Sequence, residues 1–175
     1  MCILETKVYK FAELSEEAKE KAVQKWAEHY EYSWDGELRD SLVAFFDLFG
    51  VKCKDWEIGY SGSRSDVRLD VPYDVEELKG DALRGWVKDY VGGGETLFVA
   101  CPLTGMGFDE ALLDPIRKFV KGTAGEKTLK EIMEDGFYSL SKEVAEDYEY
   151  QACGEGARES LAANEYEFTE KGDMI

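Results

Sequence analysis

The sequence predicts an α+β fold, a small and mainly antiparallel sheet with helices packed on one face, and three observations carry that prediction. Apolar residues recur at three- and four-residue intervals along most of the chain, as on the buried stripe of a helix. Trp56, Ile58 and Tyr60 alternate with smaller or polar residues, as do Val67, Leu69 and Val71, and the turn-rich Ser61-Gly62-Ser63-Arg64-Ser65 joins them in the manner of an antiparallel hairpin. The 175 residues, 44% hydrophobic and 13% aromatic, hold no repeat, low-complexity tract or Pro/Ser-rich linker, so one domain spanning residues 1–175 is expected.

Each element has its own signal. Lys7-Val8-Tyr9-Lys10-Phe11 alternates polar and apolar residues as a half-buried early strand would. Ser15 followed by Glu16 and Glu17 supplies an N-cap and first-turn acids, and the stripe Ala18, Ala22, Trp26, Tyr30 faces inward from a first helix. Leu38, Leu42, Phe45, Phe46 and Phe49 write a second helix that ends at Gly50. Val75 to Tyr90 fits a third helix, stopped by Gly92-Gly93-Gly94, and Thr96-Leu97-Phe98-Val99-Ala100 reads as a short buried strand. Phe108 to Val120 is a helix that Pro115 is expected to break or kink, because proline lacks the donor N–H. Leu129 to Ala152 keeps helical spacing as one kinked helix or two, with Gly136 weakening the middle. A brief helix over 157–163, a closing strand at Tyr166 and Phe168, and a turn at Lys171-Gly172-Asp173 complete the chain. Trp26, Trp56 and Trp86 are expected in the core.

Composition excludes several functions. With 38 acidic and 21 basic side chains the net charge is −17, which opposes direct binding to a phosphate backbone. No run approaches the roughly 20 apolar residues of a membrane span, and the first residues lack a signal-peptide layout, so a soluble cytoplasmic chain without a membrane role is expected. Cys2, Cys53, Cys101 and Cys153 lie about fifty residues apart with no C-x-x-C pair, and read as reduced, mostly packed thiols. Lys121-Gly122-Thr123-Ala124-Gly125-Glu126-Lys127-Thr128 has the wrong glycine gap for a phosphate loop and puts a carboxylate where a phosphate would sit. No calcium loop is present, and His29, the one histidine, has no local partner that would make a Cys–His nucleophile. No cofactor, metal site or catalytic set is expected.

Charge distribution is the positive signal. Residues 1–30 carry six acids against five bases, while residues 139–175 carry ten against three. The candidate partner-binding surface comprises Asp35, Glu37 and Asp40 on the second helix, Glu143, Glu146, Asp147 and Glu149 on the long helix, and Glu155 and Glu159 beyond it. Like charges at these spacings repel, a cost that a solvated face bears for solubility or that a basic partner would offset. In the second case the surface imitates the spacing of DNA phosphates and is steered into a Lys/Arg groove. Tyr32, Trp34, Tyr148, Tyr150 and Tyr166 lie near these acids as candidate anchors, and if exposed would also suit a homodimer.

Glu13-Leu14-Ser15-Glu16-Glu17-Ala18-Lys19-Glu20-Lys21-Ala22 and Asn164-Glu165-Tyr166-Glu167-Phe168-Thr169-Glu170 resemble the two ends of uncharacterised accessory proteins encoded by phages and prophages. Ile58-Gly59-Tyr60-Ser61-Gly62-Ser63 resembles that family's strand and Ser-Gly segment, although Arg64-Ser65-Asp66 stands where the family has a Gly-Asp-Gly turn. The resemblance covers about the first seventy and last thirty residues and implies context, not catalytic residues. It implies an anti-defence protein, such as an anti-CRISPR, that binds a basic host protein such as a CRISPR effector or nuclease. An antitoxin-like or regulatory protein neutralising a basic partner is the second expectation, and a small carboxylate- or Cys-dependent enzyme the third.

Overall fold

The computed structural model describes residues 7–60, 63–91, 97–98 and 101–175. In order, the regular elements are a 3-10 turn (Phe11–Glu13), α1 (Glu16–His29), α2 (Asp35–Leu48), β1 (Lys52–Glu57), β2 (Asp66–Asp70), α3 (Gly80–Tyr90), α4 (Asp109–Val120), α5 (Leu129–Cys153) and α6 (Glu155–Ala163). This is an α+β fold whose sheet, among the described residues, is the antiparallel pair β1–β2. Contacts group the chain into two compact units, one made of residues 1–32 and 146–175, the other of residues 33–145.

In the first unit, Ser15 caps α1 by accepting from the Ala18 amide at 3.3 Å. Phe11, Leu14, Ala18, Ala22, Ala157, Leu161 and Phe168 form a buried cluster that joins the two ends of the chain. The expected early and closing strands reduce to isolated bridges, Tyr9 to Phe168 and Phe168 to Met174. Tyr9 and Phe168 exchange both backbone hydrogen bonds at 2.9 Å. Neither run extends further because its neighbours are bound locally. Glu13 accepts from the Lys10 amide at 2.8 Å, which turns the chain into the 3-10 helix. At the other end Thr169 and Asp173 close a turn through Gly172, whose φ is +80°. A Cβ on Gly172 would lie 2.1 Å from the Ala18 carbonyl oxygen, so the turn and α1 touch backbone to backbone. Lys21, at 2.8 Å, and Lys25 both clasp Asp173 and hold its carboxyl well below the usual carboxylate range.

In the second unit, Leu38, Leu42, Phe45 and Phe46 are buried from α2, as is Phe49 just past its end, before Gly50 takes a φ of +62°. The hairpin starts earlier than the alternation suggested. β1 occupies residues 52–57, with a bulge between Cys53 and Asp55, and leaves Ile58 and Tyr60 outside. Its polar residues hold it by cross-strand ion pairs, Lys54 with Asp70 at 3.2 Å and Arg68 with Asp55 at 2.6 Å. Helix α3 begins at Gly80, not Val75, since Val75 and Leu78 belong to a turn and Gly80 has a φ of +54°. The expected strand over 96–100 is overturned at Leu97 and Phe98, which are helical; Thr96, Val99, Ala100 and the stop at Gly92–Gly94 lie outside the described residues.

Two helix breakers fail to break. Helix α4 runs through Pro115, held by buried Leu112, Leu113, Ile116 and Phe119 on its core face. Helix α5 runs unbroken through Gly136 because that glycine is a contact point. A Cβ there would lie 2.6 Å from the Phe45 ring and 2.8 Å from the Leu112 carbonyl oxygen, so only a hydrogen fits where α5 meets α2 and α4. The missing side chain costs about 1 kcal/mol of helix propensity, and the close packing outweighs it.

Gly136→Ala is therefore expected to lower the unfolding free energy by about 2 kcal/mol in urea titration, overpacking exceeding the propensity gain. Gly85→Ala, in α3 with nothing within 4 Å of its built Cβ, is expected to raise it by about 0.5 kcal/mol.

Candidate functional site

Of the nine sequence-predicted acids, five fall in the first unit (Glu146, Asp147, Glu149, Glu155, Glu159) and four in the second (Asp35, Glu37, Asp40, Glu143). Asp35, Asp40, Glu143, Glu146, Glu149, Glu155 and Glu159 are exposed, while Glu37 and Asp147 are half-buried.

Glycines bring the first set together. Gly154 separates α5 from α6, its amide donating to the carbonyls of Glu149 at 2.9 Å and Tyr150 at 3.2 Å. At Gly156, which is buried, a Cβ would lie 2.7 Å from the Tyr150 ring. Without side chains at these two positions α6 folds back against Tyr150, and the Tyr150 hydroxyl donates to Glu159 at 3.2 Å. That hydrogen bond, with the charge of Glu159 behind it, raises the Tyr150 hydroxyl above its ordinary range. Asp147 accepts from the Tyr32 hydroxyl at 2.7 Å, and Tyr148 packs against Tyr30 and Tyr32 with ring centroids 5.6 and 6.1 Å away.

The aromatic residues divide differently from the expectation. Trp34 and Tyr150 are exposed, while Tyr32, Tyr148 and Tyr166 are half-buried. Trp26, Trp56 and Trp86 are half-buried too, not core. Trp26 sits at the edge of its cluster because its indole N–H donates to the Gln151 carbonyl at 3.3 Å. Trp86 stacks on exposed Tyr90 at 4.5 Å.

Ion pairs concentrate on one part of the first unit. The unit has sixteen acids and seven bases, a balance of −9. Lys19 pairs with Glu16, Lys10 with Glu167, and Lys21 and Lys25 with Asp173 around α1 and the chain end, while Arg158, between Glu155 and Glu159 on α6, reaches Glu16 of α1 at 3.6 Å. His29, exposed, donates from Nδ1 to the Lys25 carbonyl at 3.1 Å, a local helix-end bond.

The thiols are free as expected, but not mostly packed: Cys101 and Cys153 are exposed and Cys53 is half-buried, with Cys2 outside the described residues. Cys101 leads to a group that sequence reasoning passed over. Asp109, in the first turn of α4, is only 2% exposed and gathers the loop before the helix. It accepts from the amides of Thr104 at 2.9 Å and Gly105 at 2.6 Å, from the Thr104 hydroxyl at 3.1 Å and from the Cys101 thiol at 3.0 Å. Ser41 of α2 joins through Thr104, Oγ to Oγ1 3.1 Å apart. Burial pushes the Asp109 carboxyl up, and the bonds from Cys101, Ser41, Gly105 and Thr104 outweigh it, holding the group below its ordinary range. The sequence signal was the Thr104-Gly105 loop placed four to five residues ahead of a helix-entry Asp. Its donors are all directed at the carboxylate, an arrangement that anchors a loop.

Among the described residues no three His, Cys, Asp or Glu side chains are grouped to hold a metal ion, and no helix is long and apolar enough to cross a membrane.

Because Asp109 titrates lower folded than unfolded, its contribution is present above about pH 4 and is lost as pH falls through the folded value. Asp109→Ala is expected to cost about 3 kcal/mol at pH 7. Asp109→Asn is expected to show a shallower loss of stability than the native chain between pH 5 and 2, followed by urea titration at each pH.

Comparison with protein-family models, curated proteins and solved structures finds no match, so the role of the acidic surface rests on its own chemistry.

Proposed function

We propose that the chain is a binding protein, of phage or prophage origin, whose acidic surface occupies the Lys/Arg groove of a nucleic-acid-handling host defence protein, such as a CRISPR effector or nuclease, without turnover. It works in the cytoplasm of the host cell. The observation that carries this reading is the carboxylate density at the α5–α6 turn. Glu146, Asp147 and Glu149 put three carboxylates on four residues, about 6 Å of helix axis, or one per roughly 2 Å. Duplex DNA carries one charge per about 1.7 Å. Asp147 is held by Tyr32 and Glu159 by Tyr150, so part of the array is pre-organised and loses less entropy on binding. Exposed Tyr150 is the aromatic anchor within it. The phage context rests on the resemblance of residues 13–22 and 164–170.

The test is affinity capture from a bacterial host lysate with the tagged protein at low salt, followed by elution with rising salt. Recovery of a basic nuclease or CRISPR subunit that leaves by about 0.5 M salt is expected. The variant Glu146→Gln/Glu149→Gln/Glu155→Gln/Glu159→Gln is expected to bind that protein roughly thirtyfold more weakly, about 0.5 kcal/mol per charge. Undiminished binding by this variant, with its melting temperature unchanged, would reject the electrostatic reading. Capture of a basic toxin in place of a defence protein would establish the antitoxin role instead.

A further inference from the structure

The second unit has a groove of opposite character to the acidic surface. Arg39, Leu42, Val43 and Phe46 follow the i, i+3, i+4, i+7 spacing of one face of α2, and together with Cys53 and Trp56 of β1 they line a cavity of about 480 Å³. That volume is within the range of small-molecule sites, about 300–1,000 Å³. The lining is mixed: Leu42 and Phe46 are buried at its base, Trp56 is half-buried along it, Val43 is 53% exposed at its lip, and Arg39, Lys54 and Asp55 bring charge to its wall. Burial raises the Cys53 thiol above its ordinary range, so that wall is neutral at pH 7.

The charged groups at the rim differ in how they are used. Lys54 is paired with Asp70, and Asp55 with Arg68, across the hairpin. Arg39 is exposed and, among the described residues, has neither an ion pair nor a hydrogen bond. Asp35, one turn earlier on α2, is not within ion-pair distance of it. A guanidinium with no partner among the described residues is notable in a chain with 38 acids, and here it stands beside Leu42, Val43 and Phe46 on the same helix face. Arginine offers a planar fork of donors that matches a carboxylate, sulfonate or phosphate.

We propose that this groove binds a small amphipathic anion, an apolar ring or chain seated on Leu42, Val43, Phe46 and Trp56 with a single acidic head on Arg39. The groove presents a cation where the α5–α6 surface presents carboxylates, so the two proposals stand or fall separately.

The test uses 8-anilinonaphthalene-1-sulfonate and its uncharged analogue N-phenyl-1-naphthylamine, each followed by fluorescence on the full chain. The native protein is expected to bind both, the sulfonate more tightly, with decanoate displacing it. Arg39→Gln is expected to weaken the sulfonate about tenfold and to leave the uncharged probe unchanged. Val43→Glu, at an exposed helix position, is expected to weaken both with the far-UV circular dichroism unaltered. Arg39→Gln and native protein binding the sulfonate equally would overturn the assignment of the head group, and insensitivity of both probes to Val43→Glu would overturn the groove itself. Retention on phosphatidylglycerol vesicles that decanoate fails to relieve would overturn a free ligand in favour of a membrane lipid.

Discussion

The fit at Gly136 constrains the second unit more than any single bond. Helix α5 passes Phe45 of α2 and the Leu112 carbonyl of α4 so closely that a methyl group has no room. At such a distance the surrounding Leu, Phe and Met side chains interdigitate at the density of a crystal, and dispersion contacts, individually about 0.1–0.2 kcal/mol, accumulate. Helix α5 is 25 residues long, about 37 Å, and its later turns carry the carboxylates on which the proposed function rests.

The first unit meets the same difficulty by closing the chain on itself. Its −9 balance would loosen a small fold, and the compensation is a buried cluster drawn from both termini, with Phe168 at its centre and fully buried. Gly172 lets the final turn touch the Ala18 carbonyl, and Lys21 and Lys25 gather around Asp173. These contacts neutralise the acids near α1 and the chain end. The carboxylates of the α5–α6 turn lie elsewhere in the sequence, ordered by tyrosine hydroxyls at Asp147 and Glu159.

Helices were legible in the sequence because their signals are local: the Ser15 cap, the four-residue stripe of α1 and the apolar face of α2 each act within a few residues. Strand signals were less reliable. Tyr9 and Phe168 pair across 159 positions for one bridge only, and no local alternation reports that length. The alternation of Trp56, Ile58 and Tyr60 did not reach Lys52 to Asp55, whose place in β1 is supported by ion pairs to β2. Pro115 and Gly136 looked like breaks because their cost is local and their compensation is tertiary. The half-exposure of Trp26 depends on a hydrogen bond to Gln151, 125 residues away, and the burial of Asp109 on donors from a loop and from α2. No composition shift marks the two units, since one is built from the two ends of the chain and a boundary falls inside α5. The acids themselves were legible; how glycine and tyrosine assemble five of them around one turn was not.

The central claim is that this surface competes for a site that nucleic acid would otherwise fill. The most direct measurement is displacement of a fluorescently labelled DNA duplex from the captured basic partner, followed by anisotropy as the protein is added. The account predicts full displacement at about one equivalent, with the concentration needed rising steeply as salt is raised. A ternary complex that keeps the duplex bound, or displacement indifferent to salt, would contradict it.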